Sequence, residues 1–252
     1  MQPRWGEDLK SIGAKGKGGY VAAGGGEIGA GSRGMEVEAL LRNGTEALHL
    51  NLGVIEIEML SRYYSELLRW SAKMNLIGKK QKPEQIIENH FLDSLMLLPI
   101  LQRPGCSLLD VGTGAGFPGL VCKVASPEME LVLVEPRLKR VSFLRHIQRS
   151  LKLESVSIYA ERIENLNFTK IRCSHVTGRA VAEIGEFVAM IGPALDENTT
   201  VVCMKGPKWR QELDEAAQLL ADFSLELEGV VERRLPFSDA PRAILTFRRS
   251  AS

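Results

Sequence analysis

Residues 108–119 read Leu108-Leu109-Asp110-Val111-Gly112-Thr113-Gly114-Ala115-Gly116-Phe117-Pro118-Gly119, an apolar run that ends in an acid and opens into a glycine-rich turn. Glycines without side chains let a backbone approach a ligand closely, and a helix that follows such a turn presents N–H groups to it. Glu135 closes the next apolar run, 21 residues after Gly114. A carboxylate there can accept hydrogen bonds from both hydroxyls of a ribose. Loop and acid together predict an adenosine-bearing cofactor. Residues 114–119 satisfy G-x-G-x-x-G, the fingerprint that admits NAD and with it an NAD-dependent oxidoreductase.

Asp110 weighs against a dinucleotide, because an NAD-binding strand normally runs apolar straight into its first glycine. The pattern Asp110-x-Gly112-x-Gly114-x-Gly116 resembles motif I of the Rossmann-like methyltransferases that use S-adenosylmethionine (SAM). That resemblance implies SAM as cofactor, with Asp110, Gly112, Gly114, Gly116 and Glu135 as its binding residues.

The elements that must position this loop follow from apolar periodicity. After Pro104-Gly105 short β-branched runs alternate with helical segments, the texture of βαβ units around a parallel sheet. Strands are expected at 107–111, 131–135, 156–160, 174–178, 199–204, 225–232 and 242–248. The last two run consecutively and predict an antiparallel hairpin at one end of a seven-stranded, mostly parallel α/β sheet with helices on both faces. Before it, Ile57, Leu60, Tyr64, Leu67 and Met74 predict a helix over 54–75. A second helix starts at Pro83, buries Ile87, Phe91, Leu95 and Leu98, and ends at Pro99. The two make an N-terminal helical cap (35–103) in front of the main domain (104–252).

Composition narrows the function classes. The chain has 252 residues, 32 Lys plus Arg against 31 Asp plus Glu, and no run of the about eighteen apolar residues that a membrane span requires. The four cysteines, Cys106, Cys122, Cys173 and Cys203, show no C-x-x-C pair, so neither a metal site nor a disulfide framework is expected. Residues 1–34 hold 11 of the 24 glycines and few large apolar side chains, which predicts disorder. With no apolar signal segment at the start, the expected location is the cytoplasm, and a monomer is expected.

Between Pro136 and Leu153 stand Arg137, Lys139, Arg140, Arg145, Arg149 and Lys152 without one acid, while Leu138, Val141, Leu144, Ile147 and Leu151 supply a buried face. Such a helix is either a solvated face or a phosphate-contacting surface. Arg242, Arg248 and Arg249 form a second cluster and Lys79, Lys80 and Lys82 a third. After the fourth strand Ser174-His175-Val176-Thr177-Gly178-Arg179-Ala180 lacks both the Asn/Asp-Pro-Pro-aromatic device for exocyclic amines and a cysteine nucleophile for pyrimidine C5. An acceptor with its own lone pair, such as guanine N7, needs no protein base, only alignment.

The chain resembles the ribosomal RNA small-subunit methyltransferase G family, also called glucose-inhibited division protein B. The matching residues are Met74-Asn75-Leu76-Ile77, His90-Phe91-Leu92-Asp93-Ser94-Leu95, Asp110 through Gly119, and Lys139-Arg140-Val141-x-Phe143-Leu144. Arg162-Ile163-Glu164, Gly178-Arg179-Ala180 and Lys205-Gly206 continue the match, which runs from about residue 54 to the C-terminus. The family uses SAM to methylate N7 of a guanosine in small-subunit ribosomal RNA. The resemblance implies that Gly112 and Phe117 line the cofactor pocket, that Ile163 and Glu164 sit by the adenine, and that Arg179 lies at the cofactor and substrate mouth. Arg179, Lys205 and His90 are the expected positioning residues. Arg137, Lys139, Arg140, Arg145 and Arg242 are the expected RNA contacts. His90 and Asp93 either face the pocket or fix the cap against the sheet. Two departures stand out: Gly178 where a Ser is usual, and Glu135-Pro136-Arg137 in place of an acid followed by Ser.

Overall fold

The computed structural model describes residues 30–78, 80–166 and 171–249. Seven strands form one sheet: β1 Ser107–Val111, β2 Glu130–Val134, β3 Val156–Tyr159, β4 His175–Thr177, β5 Thr200–Lys205, β6 Leu225–Arg234 and β7 Pro241–Arg249. Their order is β3-β2-β1-β4-β5-β7-β6, parallel throughout except that β7 runs against both its neighbours. The expected hairpin is β6–β7. The chain moves outward from β1 to β2 and β3, then returns to place β4 on the other side of β1, so β1 and β4 flank the topological switch point where ligands of such sheets bind.

Alternation along the strands divides the core in two. Leu108, Leu131, Leu133, Val202, Met204 and Ile244 face one apolar cluster, and Leu109, Val176, Val201, Cys203 and Leu245 face the other. The first cluster packs against α1 (Ala30–Ala47), α2 (Val54–Ser71), α6 (Gly119–Ala125) and α7 (Leu138–Ser150). The second packs against α8 (Ile184–Ile191) and, beyond α9 (Trp209–Glu215), α10 (Ala217–Asp222). All four cysteines are free and buried in these layers.

The helix beginning at Pro83 is three pieces in one: α3 (Pro83–Ile86), a π-helical turn (Ile87–Leu92) and α4 (Asp93–Leu95). Widened turns of this kind recur at functional sites. Pro99 does not end this helix; it sits in the first turn of a separate α5 (Leu98–Leu101), where a missing N–H costs nothing.

Other expectations shift. α1 starts at Ala30, inside the stretch predicted disordered, because Val37 and Leu41 reach the core and Gly44 leaves room for Leu92; residues 1–29 lie outside the described residues. α2 stops at Ser71, leaving Met74 beyond it. Leu138 is 70% exposed rather than buried. At 100° per residue it points about 180° away from Ile147, and fully buried Phe143 fills the face instead. No helix among the described residues is long and apolar enough to cross a membrane.

Candidate active site

The glycine loop leaves the C-terminal end of β1 at the switch point. Gly112 and Gly114 have φ of +62° and Gly116 has +91°, left-handed values that glycine adopts without strain. The N–H groups of Gly112 and Thr113 donate to the carbonyl of Val134 on β2. Asp110, fully buried, ties the loop to the helix that follows: its Oδ2 accepts from Thr113 Oγ1 (2.6 Å) and from the Gly119 N–H (2.8 Å). The first N–H of α6 is therefore spent on Asp110 rather than free for a ligand. A Cβ on Gly119 would lie 2.8 Å from that same Oδ2, so the bond requires glycine. The other oxygen, Oδ1, is buried without a partner. Burial pushes this carboxyl up from 3.8 to about 6, against the pull of its two hydrogen bonds and the Arg179 charge.

Glu135 stands one residue past β2 and is also buried. Its Oε2 accepts from the Gly114 N–H at 3.0 Å and its Oε1 from the Arg137 N–H at 2.9 Å, while Arg140 Nη1 lies 3.6 Å from Oε2. The carboxylate predicted for a ribose thus already clasps the glycine loop, and each oxygen keeps further accepting capacity.

The cap closes on this loop through aromatic rings. Tyr63 of α2 donates its hydroxyl to the carbonyl of Ala115 and stacks on Phe117, with centroids 5.6 Å apart and planes 7° apart. His90 stacks on Phe117 at 5.1 Å, Phe91 meets its edge at 5.4 Å, and the Arg179 guanidinium lies 5.2 Å from its centroid. Tyr63, fully buried, adjoins Tyr64 of the predicted stripe but stands one position off its spacing, so periodicity does not mark it.

Arg179 joins cap to sheet. From the end of β4 it donates to the Asn89 carbonyl (2.7 Å), to Asp93 Oδ2 (3.1 Å) and towards His90 Nδ1 (3.2 Å). Asp93 Oδ1 accepts from Arg242 Nε of β7 at 2.9 Å. His90 and Asp93 therefore both meet Arg179, the imidazole through an acceptor nitrogen, and its Nε2 is buried without a partner. Burial, then the Arg179 charge, pushes His90 down from 6.5 to about 4, so it is neutral near pH 7. Lys205 sits further along the same edge, where its Nζ donates to the Ala182 carbonyl and pairs with Glu212 Oε2, both at 2.8 Å.

Of the remaining expected residues, Ile163 is buried and Glu164 exposed, in a short turn after β3 on the same edge. Arg137, Lys139 and Arg145 are exposed, and Arg140 is half-buried against Glu135. The structure brings the loop, Glu135, His90, Arg179 and Lys205 to one edge. It leaves Arg145 outside that cluster, on the exposed face of α7. Gly178 has no space for the usual Ser: a Cβ there would lie 2.6 Å from Phe187 Cε2. Among the described residues no group of acids, histidines and cysteines could hold a metal ion.

A seven-stranded sheet with one reversed strand near its end, and a glycine loop and acid pair at its switch point, defines a Rossmann-like nucleotide-binding enzyme of the methyltransferase type. The solved YcgJ protein from Bacillus subtilis shares this fold with a TM-score of 0.51 at 12% identity, covering 65% of this chain and 100% of its own. A sequence profile of the family rRNA small subunit methyltransferase G matches residues 56–242. The Ribosomal RNA small subunit methyltransferase G of Desulfotalea psychrophila is 50% identical over 210 residues, 82% of this chain and 96% of its own. That of Syntrophus aciditrophicus is 35% identical over 194 residues, 75% of this chain and 80% of its own. The chain belongs to the rRNA small subunit methyltransferase G family, and the oxidoreductase that G-x-G-x-x-G admits is set aside.

Proposed function

We propose that the protein methylates N7 of a guanosine in small-subunit ribosomal RNA, in the cytoplasm, with SAM as methyl donor. The observation that carries this reading is that a chain of this family gathers the glycine loop, Glu135 and the Arg179 cluster at one sheet edge. Residues 35–103 act as the cap and 104–252 as the domain that binds cofactor and RNA.

The residues fit the cofactor in three ways. Gly114, where a Cβ would meet nothing nearer than Arg140 Nη1 at 3.7 Å, leaves the backbone bare at the switch point, Glu135 retains acceptor capacity for ribose hydroxyls, and Asp110 keeps a buried oxygen that lacks a donor. SAM supplies a methyl group made electrophilic by its sulfonium. Gly116 and Phe117 shape the wall on the cap side, and Ile163 and Glu164 the adenine side.

Methyl transfer to a free lone pair requires alignment and exclusion of water more than proton transfer. His90 is no general base here, because the lone pair of its Nδ1 already accepts from Arg179; it packs on Phe117, and that hydrogen bond positions the guanidinium at the mouth. Lys205 holds the loop after β4 through the Ala182 carbonyl. Arg137, Lys139 and Arg140 on one side of the mouth, continued by Arg145 further along α7, and Arg242 on the other meet RNA phosphates.

The test is incubation with radiolabelled SAM and small subunits from cells that lack this activity, followed by nucleoside analysis. Labelled 7-methylguanosine at one site is the expected result. Another labelled nucleoside refutes the acceptor, and SAM binding without transfer refutes the activity, leaving a non-catalytic RNA-binding protein on the same fold.

A further inference from the structure

A cleft of about 570 Å³ opens beside the mouth, lined by Gly206, Trp209, Arg210, Glu232, Arg233, Arg234 and Arg242 among others. It lies between the start of α9 and the turn end of the β6–β7 hairpin. Arg233 and Arg242 are direct cross-strand partners in that hairpin, so two guanidinium side chains leave the sheet side by side. Like charges in directly opposite positions destabilise a strand pair unless something anionic lies between or beside them.

Arg242 has Asp93 as partner, whereas Arg233 has only the carbonyl of Glu232 and no carboxylate among the described residues. The ion pairs Arg210–Glu232 and Arg234–Asp239 have side chains more than half exposed, so they contribute little and can exchange carboxylate for phosphate. Trp209 lies in the same cleft with the Arg210 guanidinium over its ring, 4.2 Å from the centroid, a pair of the kind on which RNA bases settle. The volume suits one nucleotide, and Arg242 links the cleft through Asp93 to Arg179 and the Phe117 wall.

We propose that this cleft holds the nucleotide next to the target guanosine, its phosphodiester between Arg233 and Arg242 and its base against the Trp209–Arg210 stack. The inference deepens the rRNA methyltransferase reading and rests on it. RNA would then cross the sheet edge with cations on both sides of the mouth, those of α7 and those of the hairpin.

The test compares wild type, Arg233→Glu and Arg233→Lys in two measurements: direct binding of a labelled single-stranded fragment of small-subunit rRNA across a salt series, and methyl transfer to small subunits. Arg233→Glu is expected to weaken RNA binding about tenfold and to lower the slope of log K against log salt by about 0.7, one phosphate contact. The KM for RNA rises with kcat and SAM affinity unchanged, and Arg233→Lys recovers most of the binding. Unchanged RNA affinity and salt slope in Arg233→Glu overturn the cleft, as does equal displacement of RNA by polyglutamate. Arg233-dependent RNA binding in a wild type that transfers no methyl group refutes the activity and leaves the cleft standing.

Discussion

Replacing Asp110 with Asn preserves an oxygen able to accept from Thr113 and Gly119 and removes the ionisable group. In the wild type, burial raises this carboxyl from 3.8 to about 6. Through the window between those values the unfolded chain has lost the proton while the folded chain still holds it. Stability conferred at low pH therefore falls as pH rises through the window and is fully lost above it. A shift of about two pK units at roughly 1.4 kcal/mol each corresponds to about 3 kcal/mol. The Asn variant carries no such loss, and any constant effect of its amide nitrogen shifts every pH equally. Other titrating groups, including His90, are common to both proteins and largely cancel. Urea unfolding of both proteins from about pH 4 to about pH 7 should show the difference in unfolding free energy moving in favour of Asn by about 2 kcal/mol, most of that total. Parallel pH profiles, or a difference of opposite sign, would refute the argument that a buried, costly carboxylate ties the loop.

His90 and His175 are both pushed down to about 4, chiefly by burial, so their neutral forms support the fold fully above about pH 6.5 and that support is lost as pH falls towards 4. NMR titration should find neither imidazole protonated at pH 5.5, where a solvated histidine is mostly charged. Arg179→Ala removes the link between Asn89, Asp93, His90 and the mouth; methyl transfer should fall about a hundredfold, and His90 should titrate higher yet still below 6.5, because burial is the larger cause. Gly178→Ser restores the usual family residue but drives a Cβ to 2.6 Å from Phe187. It should cost about 1–3 kcal/mol of stability by thermal melt, with partial rescue by Phe187→Leu.

The strand-loop motif and the β-branched runs were legible because they are local: alternation alone assigns Leu108 and Leu109 to opposite faces, and glycines at 112, 114 and 116 mark a turn that other residues cannot adopt. The terminal hairpin was legible for similar reasons. Leu138 departs from the expected buried face because a three-residue spacing drifts from the 3.6-residue turn of a helix. α1 carries too weak an apolar pattern to announce itself, and it forms because α2 and Leu92 offer it a surface.

What the sequence alone determined about this protein is the glycine loop with its two acids and the family to which it belongs. Tertiary structure decided which groups those residues meet. It spent one oxygen of Asp110 on the helix start, gave Glu135 to Gly114 before any ribose, and set Tyr63 of the cap against a loop 52 residues away. It also placed Arg233 opposite Arg242 and in one cleft with Trp209, three residues with no pattern along the chain. The physical reason is range: propensity and periodicity act over a few residues, whereas the partners of a charge or a ring are fixed by strand register and by packing across the sheet edge.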